Sequence, residues 1–188
     1  MAGLIQMVCF AVLSALLGAA LAFHRAPSLE HLVPPPATEK ESTDLAETIS
    51  QVVIKQAGRQ TVEEAEINRF LTTTLAARQE GLTERWASPH RVLCDLTEDA
   101  ARIHFVWRIG SHSVHAAVDL HLGRQGDNLV FDITGGQYGS LRVPRVLLTP
   151  VRPALERLAE SCQPEIQALL TLPRLSVAKE KLVLDPTF

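Results

Sequence analysis

The distribution of apolar and polar positions along the chain first sets apart its N-terminal segment. Ala2–Phe23 contains no Asp, Glu, Lys or Arg. At the rise of an α-helix, a run of this length covers about 30 Å, the thickness of the hydrocarbon core of a bilayer. The pattern therefore predicts that residues 1–23 form a hydrophobic helix that inserts into a membrane and takes the rest of the chain out of the cytoplasm.

The fate of this segment has two interpretations. Ala20-Leu21-Ala22 permits signal-peptide cleavage after Ala22, which would give a secreted protein. The basic stretch that usually precedes the apolar part of a signal peptide is missing, however, and the apolar run is long for one. We therefore favour a retained single-pass anchor in the cell membrane, with the domain facing the periplasm or the exterior.

Residues 24–43 follow as a polar segment that contains Pro27 and the run Pro34-Pro35-Pro36. Proline restricts φ and favours extended chain, and the polar residues after the run offer little to bury. We expect a proline-rich linker that holds a domain of residues 44–188 away from the membrane. Recognition by a proline-binding module is the alternative.

Helical spacing of apolar residues opens the domain. The spacing predicts a first helix over residues 45–53, which ends before Gly58. Thr61 is the predicted N-cap of a second helix, and Glu64 completes a capping box with it. The apolar stripe of the second helix consists of Ile67, Phe70, Leu71 and Leu75.

The period of the pattern then changes to two, which is typical of strands that are buried on one face only. The alternation predicts strands over residues 92–96, 102–109, 113–122 and 129–134, joined by short turns. Gly135–Gly139 is expected to bend the chain into a short strand over residues 141–143. The sequence thus indicates an antiparallel meander with one core face and one wet face.

Two short helices and a last strand complete the pattern. Pro150 and Pro153 suit the first turn of a helix, and Pro164 begins another. The phase of the strand over residues 175–184 slips at Lys179-Glu180, which indicates a bulge or a turn. The predicted fold class is α+β, with helices on one face of a curled antiparallel meander, behind the N-terminal hydrophobic helix.

Composition and charge narrow the function. The net charge is −3, and the basic residues are scattered rather than gathered in a stripe, which argues against nucleic acid as a partner. Nucleophile-elbow, phosphate-loop, dinucleotide and zinc-protease motifs are all missing, and we predict no cofactor. Cys94 and Cys162 form either a disulfide, if the compartment is oxidising, or two buried thiols.

A histidine-rich strand face offers one candidate site. Residues of one sheet face sit about 5 Å from their cross-strand neighbours, so His104, Asp119 and His121 are candidates to converge. Two imidazoles and a carboxylate are a plausible metal-binding set, which would serve a metal-assisted hydrolase on the outer sheet face. The alternative is a solvated polar face without a ligand.

Large apolar side chains offer a second candidate site. Phe70, Phe105, Trp107 and Phe131 are all predicted to point toward the helices. A sheet packed against helices can leave a groove between them, and these four side chains are large enough to line a groove for a lipid-like ligand. Simple core packing is the alternative.

The predicted helix over Thr61–Leu71 and the strand Gly139-Ser140-Leu141-Arg142-Val143-Pro144 follow an N-terminal membrane segment. This layout resembles the YpmS-type family of membrane-anchored, uncharacterised extracytoplasmic proteins. The resemblance implies an envelope domain without an established activity, and it assigns no catalytic residue. The proline-rich linker and the missing basic residues before the anchor depart from that pattern.

Two functional hypotheses follow from the sequence. The first is a tethered or exported non-enzymatic domain that binds an envelope protein or an apolar ligand. The second is the metal-assisted hydrolase with His104, Asp119 and His121 as its site.

Overall fold

The computed structural model describes residues 14, 17–22, 25, 27–34, 59–79, 89–98, 100–125, 128–170, 172 and 174–185. The predicted helix over residues 45–53 lies outside this part of the chain. Residues 17–22 of the apolar segment are helical. Within the described residues, no helix is both long enough and apolar enough to cross a bilayer.

Five strands form the larger sheet, and each pairs antiparallel with the next one in sequence, which confirms the predicted meander. Alternating apolar residues give these strands one face that packs in the core. The strands are β2 (Arg91–Thr97), β3 (Ala100–Ile109), β4 (His112–Gln125), β5 (Asn128–Tyr138) and β6 (Leu141–Pro144).

The glycine segment differs from its prediction, because β5 continues through Gly135 and Gly136 instead of bending there. Leu120 of β4 pairs with Ile133, whereas Asp119 pairs with Gly135, so one extra residue of β5 forms a bulge. The bulge keeps both Ile133 and Gly136 on the core face. The predicted bend is present but lies at Gly139, which has a φ of 56° and leads into β6, so the prediction was wrong only in placing Gly135 and Gly136 in it.

A second sheet has three strands in the order β1-β8-β7, also antiparallel. Its strands are β1 (Gln60–Glu63), β7 (Arg174–Ala178) and β8 (Lys181–Asp185). The predicted phase slip at Lys179-Glu180 is a turn, in which Glu180 has a φ of 62°.

The predicted N-cap at Thr61 was wrong, since Thr61 lies in β1 and pairs with Val183. β-Branched residues such as Thr61 favour strands, and the ladder to β8 decides the outcome here. The helix begins at Glu64, and Glu66 Oε2 accepts the backbone N–H of Glu63 at 3.1 Å. The capping carboxylate is therefore present, two residues later than expected.

The helices and the core face of the larger sheet enclose the hydrophobic core. They are α1 (Glu64–Gln79), the 3₁₀ helix Arg145–Val151, α2 (Arg152–Ser161) and α3 (Gln163–Leu170). Phe70 of α1, Leu148 of the 3₁₀ helix and Leu158 of α2 belong to one buried cluster with Phe105 and Val118 of the sheet. The protein is thus an α+β fold with two antiparallel sheets.

The edge strand β2 is covered by side chains of α1. Asn68, which is 1% exposed, donates from Nδ2 to the carbonyl of Cys94 at 2.8 Å and accepts its N–H at 2.6 Å. Glu64 Oε2 accepts the N–H of Leu96 at 2.6 Å, and the Leu96 carbonyl accepts the N–H of Glu180 at 3.1 Å. These bonds satisfy the open edge of the sheet and tie it to the β7–β8 turn.

The second face of the larger sheet was predicted to be wet, and this prediction was wrong for the middle of the face. Leu93, His104, His115 and Ala117 point to that face, and each is at most 3% exposed. The segment that the sequence assigns to the linker also packs against the domain. The 3₁₀ helix Glu30–Leu32 contacts β2 and α1, and Leu32 is itself buried.

Candidate functional site

The residues of the predicted metal site do not come together. In the β3–β4 register, Ala117 lies opposite His104 and Ala100 lies opposite His121. Asp119 instead pairs with Arg102, with Nε and Oδ1 2.5 Å apart. His121 is exposed. Among the residues that the structure describes, no group of three or more His, Cys, Asp or Glu side chains is arranged to hold a metal.

His104 has a different partner, which the sequence interpretation left out of the metal set. His104 Nδ1 and His115 Nε2 are 2.9 Å apart, and the ring centroids are 5.2 Å apart. The register places the two residues diagonally on one sheet face, since His115 lies two positions from the residue opposite His104. The alternation did indicate this shared face, but it did not indicate that both rings are buried.

Burial determines the protonation of this pair. Burial, reinforced by the nearby His115 and Arg102, lowers the pKa of His104 to about 3. Burial also lowers the pKa of His115, although the backbone of Gly139 opposes the shift. Both imidazoles are therefore neutral near neutral pH, and one donates to the other. Neither ring is open to a substrate, because His104 and His115 are each only 3% exposed.

Two of the four residues that were predicted to line an aromatic groove are buried in the core. Phe70 and Phe105 are closed into the core at 7% and 0% exposure, and Trp107 stacks on Phe105 with a centroid distance of 5.8 Å. Phe131 is 43% exposed and pairs with Leu122, at the end of the β4–β5 hairpin that extends beyond β3. Core packing thus accounts for Phe70 and Phe105, and Phe131 lies apart from them.

Cys94 and Cys162 are both buried in the core as free thiols, so the structure does not show the disulfide. Burial raises the pKa of the Cys94 thiol, and the negative charges of Glu64 and Asp95 raise it further. A thiol that resists ionisation is a poor nucleophile, so Cys94 serves as a small apolar core residue.

A charged cleft of about 780 Å³ lies where the two sheets meet. The β2–β3 turn, the start of α1 and the β7–β8 turn form its walls, and His31 reaches it from the segment before β1. Two hydrogen bonds hold the walls together, from Glu64 N to Glu180 O at 3.0 Å and from Glu180 N to Leu96 O at 3.1 Å. The cleft is thus a built feature of the junction between the sheets.

Acidic groups predominate in the cleft. Five carboxylates line it, against two lysines and one histidine: Glu63, Glu64, Asp95, Glu98 and Glu180, with Lys179, Lys181 and His31. Burial raises the pKa of Glu64, while its hydrogen bond to the Leu96 N–H opposes the shift. Glu63, Glu98 and Glu180 are exposed, as are Lys179 and Lys181, and Lys179 Nζ lies 3.9 Å from Glu180 Oε1.

Comparison with protein-family models, with curated proteins and with solved structures gives no match.

The cleft and the hydrogen bonds of Ala22 lie at opposite ends of the larger sheet. Thr97 and Glu98, in the cleft, end β2 and begin the β2–β3 turn. The β5–β6 turn lies toward the other end, and there Ser140 contacts Ala22 by hydrogen bonds. A ligand in the cleft therefore does not compete with the N-terminal segment at this turn.

Proposed function

We propose that this protein is a membrane-tethered, non-enzymatic domain of the cell envelope whose acidic cleft binds a basic segment of a protein partner. The observation that carries the proposal is the cleft of about 780 Å³ at the junction of the two sheets, with five carboxylates against two lysines. Carboxylates that face an open cleft attract lysine and arginine side chains and exclude acidic ones.

The tether is the first part of the proposal. It rests on the uncharged run Ala2–Phe23, which is long enough to form a membrane-spanning helix. In this proposal the domain faces the periplasm or the exterior, and the residue 24–43 segment joins it to the anchor. Cleavage after Ala22, with secretion of the domain, is the alternative outcome. A relationship to the YpmS-type family is part of the same proposal, and so is a curl of the larger sheet.

The choice of a protein partner over an apolar ligand is the second part. Phe70 and Phe105, which would have lined an apolar groove, are occupied in core packing. The cleft instead presents charged groups, and its volume is within the range of about 300–1,000 Å³ that is usual for binding sites. A peptide segment carrying Lys or Arg fits both the volume and the charge.

Charge reversal in the cleft tests this proposal. We expect the full chain to bind a lysine-rich peptide more tightly than a glutamate-rich one of equal length, and added salt to weaken the binding. The Glu63→Lys, Glu98→Lys double variant is expected to weaken binding about tenfold, or roughly 1.4 kcal/mol, because two attractive contacts become repulsive. Fluorescence anisotropy with labelled peptides measures both effects.

A matched control separates the cleft from overall charge. Glu156 and Glu160 are exposed on α2, so the Glu156→Lys, Glu160→Lys variant makes the same change in net charge away from the cleft. We expect this control to bind like the wild type. Equal binding of the two peptides, or equal weakening in both double variants, would show that the cleft is not the binding site.

A further inference from the structure

The end of the apolar N-terminal segment meets the domain at the β5–β6 turn. The Ala22 carbonyl accepts two hydrogen bonds from Ser140, one from the backbone N–H and one from Oγ, each 2.9 Å long. Leu17 and Leu21, in the helical stretch before it, are 63% and 64% exposed. The apolar helix end thus stands clear of the domain while its last turn is fastened to the sheet.

A second exposed apolar feature lies beside the same turn. The Tyr138 hydroxyl donates to the Leu147 carbonyl at 3.0 Å, which places the 3₁₀ helix Arg145–Val151 close to the end of β5. Leu148 points inward and is buried, whereas Val146 and Leu147 point outward at 75% and 56% exposure. Two large apolar side chains therefore face away from the core near the point where the anchor segment leaves.

Basic residues predominate around this turn, although Arg152 forms an ion pair with Glu156, with Nε and Oε1 2.7 Å apart. Residues 133–155 contain no Asp or Glu, although they include Arg142, Arg145 and Arg152. All three arginines are exposed, as is Arg25, whose N–H bonds to the Leu21 carbonyl at the end of the apolar helix. In a chain with a net charge of −3, this is a local basic and apolar surface.

We propose that this surface, formed by Arg142, Arg145, Val146 and Leu147, docks on the headgroups of an anionic lipid bilayer. The occupant follows from continuity, because the apolar segment that is proposed to enter the bilayer is bonded to the adjacent turn at Ser140. Apolar side chains enter the headgroup boundary, and arginines are attracted to an anionic leaflet. The proposal rests on the tether proposed above and adds the orientation of the domain.

Docking in this way turns the acidic cleft away from the membrane. The cleft lies at the other end of the larger sheet from Ser140, so anionic lipid and the carboxylates of Glu63 and Glu98 are kept apart. The basic surface and the acidic cleft thus serve different partners, lipid at one end and protein at the other.

Site-directed fluorescence in vesicles tests the docking. The full chain, with Cys9 replaced by serine, is reconstituted in phosphatidylcholine vesicles with and without phosphatidylglycerol, and an environment-sensitive fluorophore is attached at Leu147→Cys. Cys94 and Cys162 are buried and do not compete for the label. We expect blue-shifted emission and several-fold weaker quenching by iodide in the anionic vesicles. Leu170→Cys on α3, where Leu170 is 43% exposed, is the matched control and is expected to stay fully quenchable.

Two further measurements make the outcome decisive. The Arg142→Glu, Arg145→Glu variant is expected to restore quenching at position 147, since it reverses the charge that faces the lipid. Equal quenching at positions 147 and 170, or equal shielding with and without phosphatidylglycerol, would overturn the docking on anionic lipid. Extraction of the vesicles with alkaline carbonate tests the anchor separately. Protein that is extracted would overturn the tether and the docking together. Protein that is retained in the membrane but has an exposed position 147 would overturn the docking alone.

Discussion

Acidification from about pH 7 to about pH 4.5 is expected to lower the free energy of unfolding by roughly 2–3 kcal/mol through His104 alone. Burial lowers the pKa of His104 to about 3 in the folded chain, against about 6.5 in the unfolded one. Between these values the unfolded chain binds a proton that the folded chain does not. The stabilisation is therefore complete above about pH 6.5 and is lost as the pH falls toward 3.

Two other titratable groups, His115 and Glu64, change the size of this loss of stability. Folding also lowers the pKa of His115, so His115 adds to the loss of stability as the pH falls. Glu64 acts in the opposite sense, because a carboxyl whose pKa is raised by folding stabilises the fold as it becomes protonated. Its effect is limited because Glu64 is only partly buried.

Urea unfolding of the detergent-solubilised chain at several pH values measures this dependence. The His104→Gln, His115→Gln variant keeps polar side chains but cannot titrate, and we expect its stability to vary less between pH 7 and pH 4.5. His121 is exposed on β4, so His121→Gln is the matched control and should keep the wild-type dependence. A wild-type curve as flat as that of the double variant would refute the role of the pair.

Gly136→Ala is expected to destabilise the fold by about 3 kcal/mol, at the upper end of the usual cost of overpacking. A Cβ at this position would overlap the carbonyl oxygen of Ala117 and come within 2.9 Å of Leu148 Cδ2. The first obstacle is backbone of a central strand, which cannot rotate away, so β4 and β5 must separate. The melting temperature of a chain of this size should fall by roughly 6–12 °C.

Gly123→Ala is the matched control for this substitution. Gly123 lies in the same β4–β5 hairpin, and a Cβ there would meet its nearest neighbour, the Val130 carbonyl oxygen, at an ordinary 3.8 Å. We expect its melting temperature to stay within about 2–3 °C of the wild type, since Gly→Ala without a clash changes stability by less than about 1 kcal/mol. Equal melting temperatures for the two variants would mean that the space at Gly136 is not required.

The sequence was sufficient for the elements whose pattern is local. Alternation over residues 102–109 and 113–122 identified β3 and β4, because each strand has a continuous core face. The phase slip at Lys179-Glu180 likewise predicted either a bulge or a turn, and the structure has the β7–β8 turn there. Local periodicity carries this information directly.

The features that the sequence missed depend on contacts between distant segments. β1 is only four residues long, and its ladder with β8 is what makes Thr61 a strand residue rather than a helix cap. The outer sheet face is polar in sequence, yet His104 and His115 are buried there. Such cover cannot be inferred from alternation, which reports the side on which a residue lies and not what packs against that side.

The candidate site was missed for a related reason. The cleft gathers short pieces of α1, β2 and the β7–β8 turn, which are far apart in the chain and carry no motif. Meanwhile the aromatic residues that looked suited to a groove, such as Phe105, are what a small core requires. The large aromatic residues in the sequence thus indicated the core, but they did not indicate the cleft.

Photo-crosslinking in the cells that make the protein tests whether a basic segment of a protein partner binds in the cleft. A photoreactive amino acid is placed at Glu98, which is exposed at the cleft, and at Glu160, which is exposed on α2. If it does, we expect a discrete cross-linked partner at position 98 only, with the cross-link mapped by mass spectrometry to a segment rich in Lys or Arg. The same products at both positions, or a cross-link at position 98 that maps to an acidic or apolar segment, would contradict it.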